Sequence, residues 1–380
     1  MKHEEFKCEK CGYTFVSDMN ESESVEIKIA DIMEGEKEME RKEEERYLGD
    51  IISTDGRNIK NIKARVKKGI GIVKNIINLI EGIPFGKFFY EVAIILRNSL
   101  LISSILFNSE VWYNLSSAEL NLLETVDIDL LRRILKAPKS TAKEMFYLEL
   151  GVLPLREIIR KRRLLFLHYI LQQKSESIIF KVFETQRNNP TTKDWVTTVK
   201  RDLDLINMKH TFEEIKQMGE REYMNTIKRK IIYKTLNDLN EMKSKHSKVK
   251  DVEHLRLRMQ DYLLPNDSNM KNEEAELIFQ LRCRTTQTKM NMKGMYDTYE
   301  CRACGKTNET QIHVIQCKTI QDMNKENVEI QYEKLYGNDV EEQRKICRIF
   351  KQNMNHLEKF PAGPSDQGRS LSLQCKLNWN

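Results

Sequence analysis

Four residues near the end of the chain have the types and spacing to hold a metal ion. Cys301, Cys304, His313 and Cys317 run as Cys-x2-Cys-x8-His-x3-Cys. Zinc takes four soft or borderline ligands in a tetrahedron, and two close pairs flanking a short loop supply them. Cys301-Arg302-Ala303-Cys304-Gly305 reads as a knuckle in which Gly305 omits a side chain where backbone N–H groups turn towards the sulfurs. Asn308 with Gln311 reads as a helix-capping pair, which puts His313 and Cys317 at i and i+4 on one helix face. Four protein ligands leave no open coordination position, so the expected Zn2+ is structural. A second pair, in Phe6-Lys7-Cys8-x2-Cys11-x3-Phe15, looks like the first half of a two-Cys two-His finger. No histidine between His3 and His168 completes it. Cys283, Cys347 and Cys375 have no partner at ligand spacing.

The second candidate chemistry is phosphate binding by two rows of cations. Ile59, Ile62, Val66, Ile70, Val73 and Ile77 recur at steps of three and four, which predicts one buried helix face. Lys60, Lys63, Lys67 and Lys74 then fall on the other side, with Arg57 just before the helix. Arg156, Arg160 and Arg163, at i, i+4 and i+7 beside Lys161 and Arg162, make a second row. These arginines either grip phosphates or form the wet face of their helix. The net charge of +6 hides an asymmetry, because residues 1–46 carry 15 acids against 8 bases and the rest of the chain is strongly basic. A basic body suits a polyanion such as RNA or DNA, and it equally suits a well-solvated helical protein.

These residues need elements to position them. The chain has 380 residues, enough for two or three domains, with 40% hydrophobic and 32% charged residues and few Gly (15) or Pro (7). The expectation is a mainly α fold: a helical bundle, a short β-hairpin near residues 47–56 and a small zinc knuckle. Tyr47-Leu48-Gly49-Asp50-Ile51-Ile52 reads as a strand closed by the turn signal Ser53-Thr54-Asp55-Gly56. Helices follow over about 57–77, 88–107, 116–137 and 155–173. Ser116-x-x-Glu119 and Thr141-x-x-Glu144 read as capping boxes. Asn189-Pro190-Thr191-Thr192 marks an expected subdomain boundary, and 195–290 reads as several amphipathic helices. The expected divisions are 1–46, 47–175, 176–295, 296–320 and 321–380, the last ending in a disordered tail. His168, Trp112 and Trp195 are expected in the core. The apolar stretch Phe88–Phe107 contains Glu91 and Arg97, which suits a buried helix and not a membrane span. With no secretory signal and clustered cysteines, the expected location is intracellular, nucleus or cytoplasm.

An ordered set of motifs also resembles a known family. Tyr47-Leu48-Gly49-Asp50-Ile51-Ile52-Ser53-Thr54-Asp55-Gly56, the Lys-rich Ile helix, Asn108-Ser109-Glu110-Val111-Trp112-Tyr113, Leu130-Leu131-Arg132-Arg133-Ile134-Leu135, Leu148-Glu149-Leu150-Gly151-Val152-Leu153-Pro154 and the Cys/His cluster follow one another. Together they are similar to the thumb, connector and zinc knuckle of LINE-type non-LTR retrotransposon reverse transcriptases, over about residues 47–320. The resemblance implies a thumb helix laid on a nucleic-acid duplex, with Tyr47-Leu48-Gly49 near the primer terminus and Lys60, Lys63 and Lys67 along the backbone. It also implies a palm with paired aspartates that hold two Mg2+ ions. This chain has no Asp-Asp pair, and Ile29-Ala30-Asp31-Ile32 is the nearest echo. With 46 residues before Tyr47, the sequence reads as truncated at its N-terminus. Bound Mg2+ and polymerase activity are therefore not expected of the chain alone. The expected function is nucleic-acid binding by a palm-less remnant. The alternatives are part of an active RNA-directed DNA polymerase and a zinc-stapled helical scaffold that binds proteins.

Overall fold

The structure is a computed structural model. It describes residues 43–47, 49–54, 57–81, 88–243, 252, 256–264, 270–292, 295–296, 298–324 and 331–360, and the backbone of four short strands before residue 39. The chain divides into two compact units, Met1–Lys60 and Asn61–Asn380.

Among the described residues, the first unit has three two-stranded antiparallel hairpins: β1 (His3–Lys7) with β2 (Thr14–Asp18), β3 (Met33–Glu34) with β4 (Lys37–Glu38), and β5 (Glu44–Tyr47) with β6 (Asp50–Ser53). Cys8 and Cys11 lie outside the described residues. The β5–β6 hairpin pairs Glu44 with Ser53 and Tyr47 with Asp50. The expected short hairpin near 47–56 is thus present, and it spans 44–53. The run Tyr47–Ile52 is not one strand, because the chain turns at Gly49, whose φ of +91° is one that L side chains rarely adopt. The partner strand, Glu44-Glu45-Arg46-Tyr47, is charged and exposed, so no apolar alternation announces it.

The second unit is helical. The long α1 (Ile59–Glu81) leads into it and buries Ile62, Val73, Ile76 and Ile80. The stretch after it is broken into α2 (Phe89–Leu96), a π-helical turn over Arg97–Ile102 and α3 (Ser103–Ile105). Within the widened turn Arg97 is buried and grips Asp127 with both arms, Nε to Oδ1 at 2.6 Å and Nη2 to Oδ2 at 2.7 Å. Asp127 belongs to α4 (Ser117–Ile134). The Ser116–Glu119 capping box that opens α4 is present, with the Ser116 N–H donating to Glu119 Oε2 at 2.8 Å. The second expected box is not. Ala142 precedes α5 (Lys143–Leu150), and the buried Thr141 hydroxyl has no hydrogen-bond partner among the described residues.

Two cores form around these helices. The first takes α1 to α5 and the N-terminal end of α6 (Leu155–Leu171). The second takes α6 from Leu164 onward with α7 (Ile178–Asn188), α8 (Trp195–Leu205), α9 (Phe212–Gln217) and α10 (Glu220–Lys243). His168 and Trp195 sit in this second group, with His168 stacked on Tyr223 and Trp195 Nε1 donating to the Glu110 carbonyl at 2.8 Å. Trp112 is buried in the first. The chain then returns to the first core through α11 (Asn272–Arg282), α12 (Gln311–Gln316), α13 (Lys318–Asn324) and α14 (Val340–Leu357). The packing thus divides within α6, where the sequence pointed to residue 189. The segment 296–320 is part of the first core.

A buried network locks this return. Arg282 is 1% exposed, and its Nε donates to Glu149 Oε1 at 2.9 Å. Tyr262 donates to Glu149 Oε2 at 2.8 Å, and Arg282 Nη1 donates to the Leu335 carbonyl at 2.6 Å. Burial without these partners would cost several kcal/mol per charge.

Candidate metal centre

Cys301, Cys304, His313 and Cys317 converge, and one ligand atom from each lies within 4.8 Å of all the others. In a tetrahedral zinc site with Zn–S about 2.3 Å and Zn–N about 2.0–2.1 Å, a sulfur and a ring nitrogen sit about 3.5 Å apart. Cys304 Sγ and His313 Nε2 are 3.4 Å apart. The cluster could therefore hold a metal ion, and three thiolates with one imidazole suit zinc.

Local backbone chemistry makes the knuckle. Gly305 has φ of +63°, and its N–H donates to the Cys301 carbonyl at 2.9 Å. The Cys301 N–H donates to the Thr307 carbonyl at 2.7 Å, closing the loop. Burial raises the Cys301 thiol to about 11, against the pull of the Cys304 and Ala303 N–H groups, and the neighbouring thiols add to the rise. At Cys304 burial also pushes upward, but N–H groups of Lys306 and Thr307 with the thiols of Cys301 and Cys317 bring it below the usual value. Burial lowers His313, with Glu309 opposing, so the ring is neutral and available as a ligand near pH 7. The site thus needs protons to leave before a metal is held.

α12 begins two residues later than the sequence reading and ends at Gln316, so Cys317 follows it in extended backbone and does not share a helix face with His313, which corrects that expectation. Thr310 caps it, accepting from the His313 N–H at 3.1 Å, and the Asn308–Gln311 pair does not. Gln311 instead points inward, donating to the Leu281 carbonyl at 2.6 Å and accepting from Thr286. Asn353 of α14 donates to the Val314 carbonyl at 2.7 Å. The ligand-bearing helix is thereby fastened to α11 and α14. Sequence reasoning missed Glu309. It is fully buried and accepts from the Arg302 guanidinium at 2.8 and 2.9 Å, from the Arg302 N–H and from the Lys289 N–H. An isolated acid between two metal ligands has no periodicity, so no sequence signal marks it.

The candidate phosphate-binding cations separate into two groups. On α1, Lys63 and Lys67 are exposed, and neither has an ion pair among the described residues. Lys60 is half-exposed and pairs with Glu44 at 2.9 Å, and Arg57 is exposed. The α6 arginines are not a wet row, which corrects the expectation. Arg163 is buried, with Nε donating to Asp202 Oδ2 at 2.7 Å and Nη1 to the Trp112 carbonyl at 2.5 Å. Arg160 is mostly buried between Glu157 and Asp202. Arg156 is half-exposed and forks onto the buried carboxylate of Glu124 at 2.8 and 3.1 Å. The reason is tertiary, because α8 brings Asp202 onto the face that the α6 sequence marks as polar.

Compared with models of known families, with curated proteins and with solved structures, the chain matches none of them. Among the described residues, no helix is long and apolar enough to cross a membrane.

Proposed function

We infer that the chain binds nucleic acid through the lysine face of α1, with a zinc knuckle that serves structure, as the thumb, connector and knuckle region of a non-LTR reverse transcriptase. The observation that carries this reading is the contrast between the two basic helices. Lys63 and Lys67 keep their charge in solvent while the α6 arginines direct theirs at buried acids. A phosphate backbone needs no shaped pocket, only a row of unneutralised cations, and each phosphate neutralised releases a condensed counterion. The ordered motifs in the sequence supply the family. Replacing Lys60, Lys63 and Lys67 by Gln tests it by fluorescence anisotropy of labelled duplex across a salt series. With about three phosphates neutralised, the log–log slope should be roughly −3 for duplex DNA, and it should flatten by about 0.9 for each lysine removed. A wild-type slope in the triple variant would sink the reading.

A further inference from the structure

An apolar groove of about 630 Å³ runs between α1 and α4. Val66, Ile70 and Val73 line it from one side, and Leu122, Val126 and Ile128 from the other. The helices touch at Gly69, where an added Cβ would meet Val126 Cγ1 and Ile105 Cγ2 at 3.0 Å each. Ile70 is 61% exposed and Leu122 38% exposed, so the apolar lips face solvent. This overturns the expectation that Ile70 belongs to the buried face of α1.

The charges around the groove are unbalanced. Lys63, Lys67, Ile70 and Lys74 stand at steps of four, three and four, so the apolar lip and three exposed lysines form one ridge. None of these lysines has an ion pair among the described residues. The acids that line the groove are already neutralised. Glu124 is held by Lys143 and Arg156, and Asp129 by Arg133 at 3.0 Å. Arg132 on the opposite wall pairs loosely with Asp129 at 3.9 Å, its buried Nε having no hydrogen-bond partner among the described residues. At 1.5 Å per residue the α1 wall, residues 66–73, rises about 10 Å and the α4 wall, residues 121–132, about 16 Å, which is room for two to three turns of a third helix.

We propose that this groove docks an amphipathic helix of a partner protein, with apolar residues at i, i+3, i+4 and i+7 and acidic residues flanking them. The apolar residues fill the floor between Ile70 and Leu122, and the carboxylates meet Lys63, Lys67 and Lys74. A nucleic-acid backbone satisfies the lysines and leaves the floor wet, so it does not account for the apolar lips. A helix does both and brings its own polar back to solvent.

The probe is a fluorescein-labelled helical peptide with leucines at those positions and glutamates beside them, titrated with the full chain. Saturable binding is expected. Ile70→Gln with Leu122→Gln should weaken it about tenfold or more, the loss of two central anchors, while duplex binding keeps its salt slope. Both side chains are exposed, so the fold survives, as circular dichroism would verify. Lys63→Gln, Lys67→Gln and Lys74→Gln should weaken both ligands. A failed lysine reading therefore shows in the duplex arm, and a failed groove in the peptide arm. No peptide binding, equal binding of a scrambled peptide, or indifference to the Ile70 and Leu122 changes would each overturn the proposal. Binding of dodecanoate without the peptide would also overturn it, assigning the groove to a small anionic amphiphile.

Discussion

Replacing Arg163 by Gln distinguishes a cation that holds the fold together from one that waits for phosphate. Arg163 is buried, and its two hydrogen-bonded arms tie Asp202 of α8 and the Trp112 carbonyl to α6. Asp202 is itself 4% exposed, so the carboxylate left behind cannot replace its missing partner with water. Breaking one side of a buried pair costs about 3–5 kcal/mol. Arg160 still contacts Asp202 at 3.0 Å, which places the expected loss near the lower end, about 3 kcal/mol. At an unfolding entropy of about 2.1 cal/mol/K per residue, a chain of 380 residues loses about 1.3 °C per kcal/mol, so Tm should fall by roughly 3–5 °C. Differential scanning calorimetry gives that number, and the salt series gives the second one. The duplex slope should be unchanged, because a buried guanidinium releases no counterion. Lys63→Gln with Lys67→Gln should do the reverse, leaving stability within about 0.5 kcal/mol and flattening the slope by about 1.8. An Arg163→Gln protein with wild-type Tm and a flattened slope would refute the assignment of Arg163 to the core.

Metal analysis of the purified chain should find one zinc per molecule, bound by Cys301, Cys304, His313 and Cys317. Chelation should raise hydrogen exchange over 299–324 and also in α14, since Asn353 holds the Val314 carbonyl; exchange confined to the knuckle would show that the two are uncoupled. At Gly151, φ is +66° and an added Cβ would lie 2.3 Å from the Arg258 carbonyl carbon and the Met259 nitrogen. Gly151→Ala should therefore cost about 2–6 kcal/mol from backbone strain and overpacking together, read from the denaturant midpoint. A near-neutral result would mean that the 258–259 segment moves aside freely. Burial works to raise the Glu124 carboxyl, but hydrogen bonds from Arg156 and Lys143 outweigh it and hold the group below the ordinary carboxylate range. Its stabilising contribution is thus complete above the unfolded value of about 4.3 and is lost as pH falls through the lower folded value. Glu124→Gln should destabilise the chain by about 1–3 kcal/mol at pH 7 and converge on wild type in acid; a difference that persists at pH 2 would contradict the pairing.

Helical character, the Ser116 cap and the Cys/His cluster are all legible in the sequence. Those features are written in short-range spacing: a 3.6-residue rhythm, a Ser and Glu three apart, two pairs of ligands that a single loop brings together. The interior position of His168 is legible too, because its aromatic and apolar neighbours in a helical rhythm leave few other places. Which polar residues are wet is settled only by tertiary packing. Arg160 and Arg163 read like Lys63 and Lys67 in periodicity, and only the arrival of Asp202 from 39 residues away puts them in the core. Ile70 reads like Ile62, and only the gap between α1 and α4 leaves it exposed. Glu149 lies more than a hundred residues from Tyr262 and Arg282, yet the three meet in one buried network. A helix sequence specifies which residues share a face. It does not specify what another segment brings to that face, and the free energy of burying a charge depends wholly on that partner.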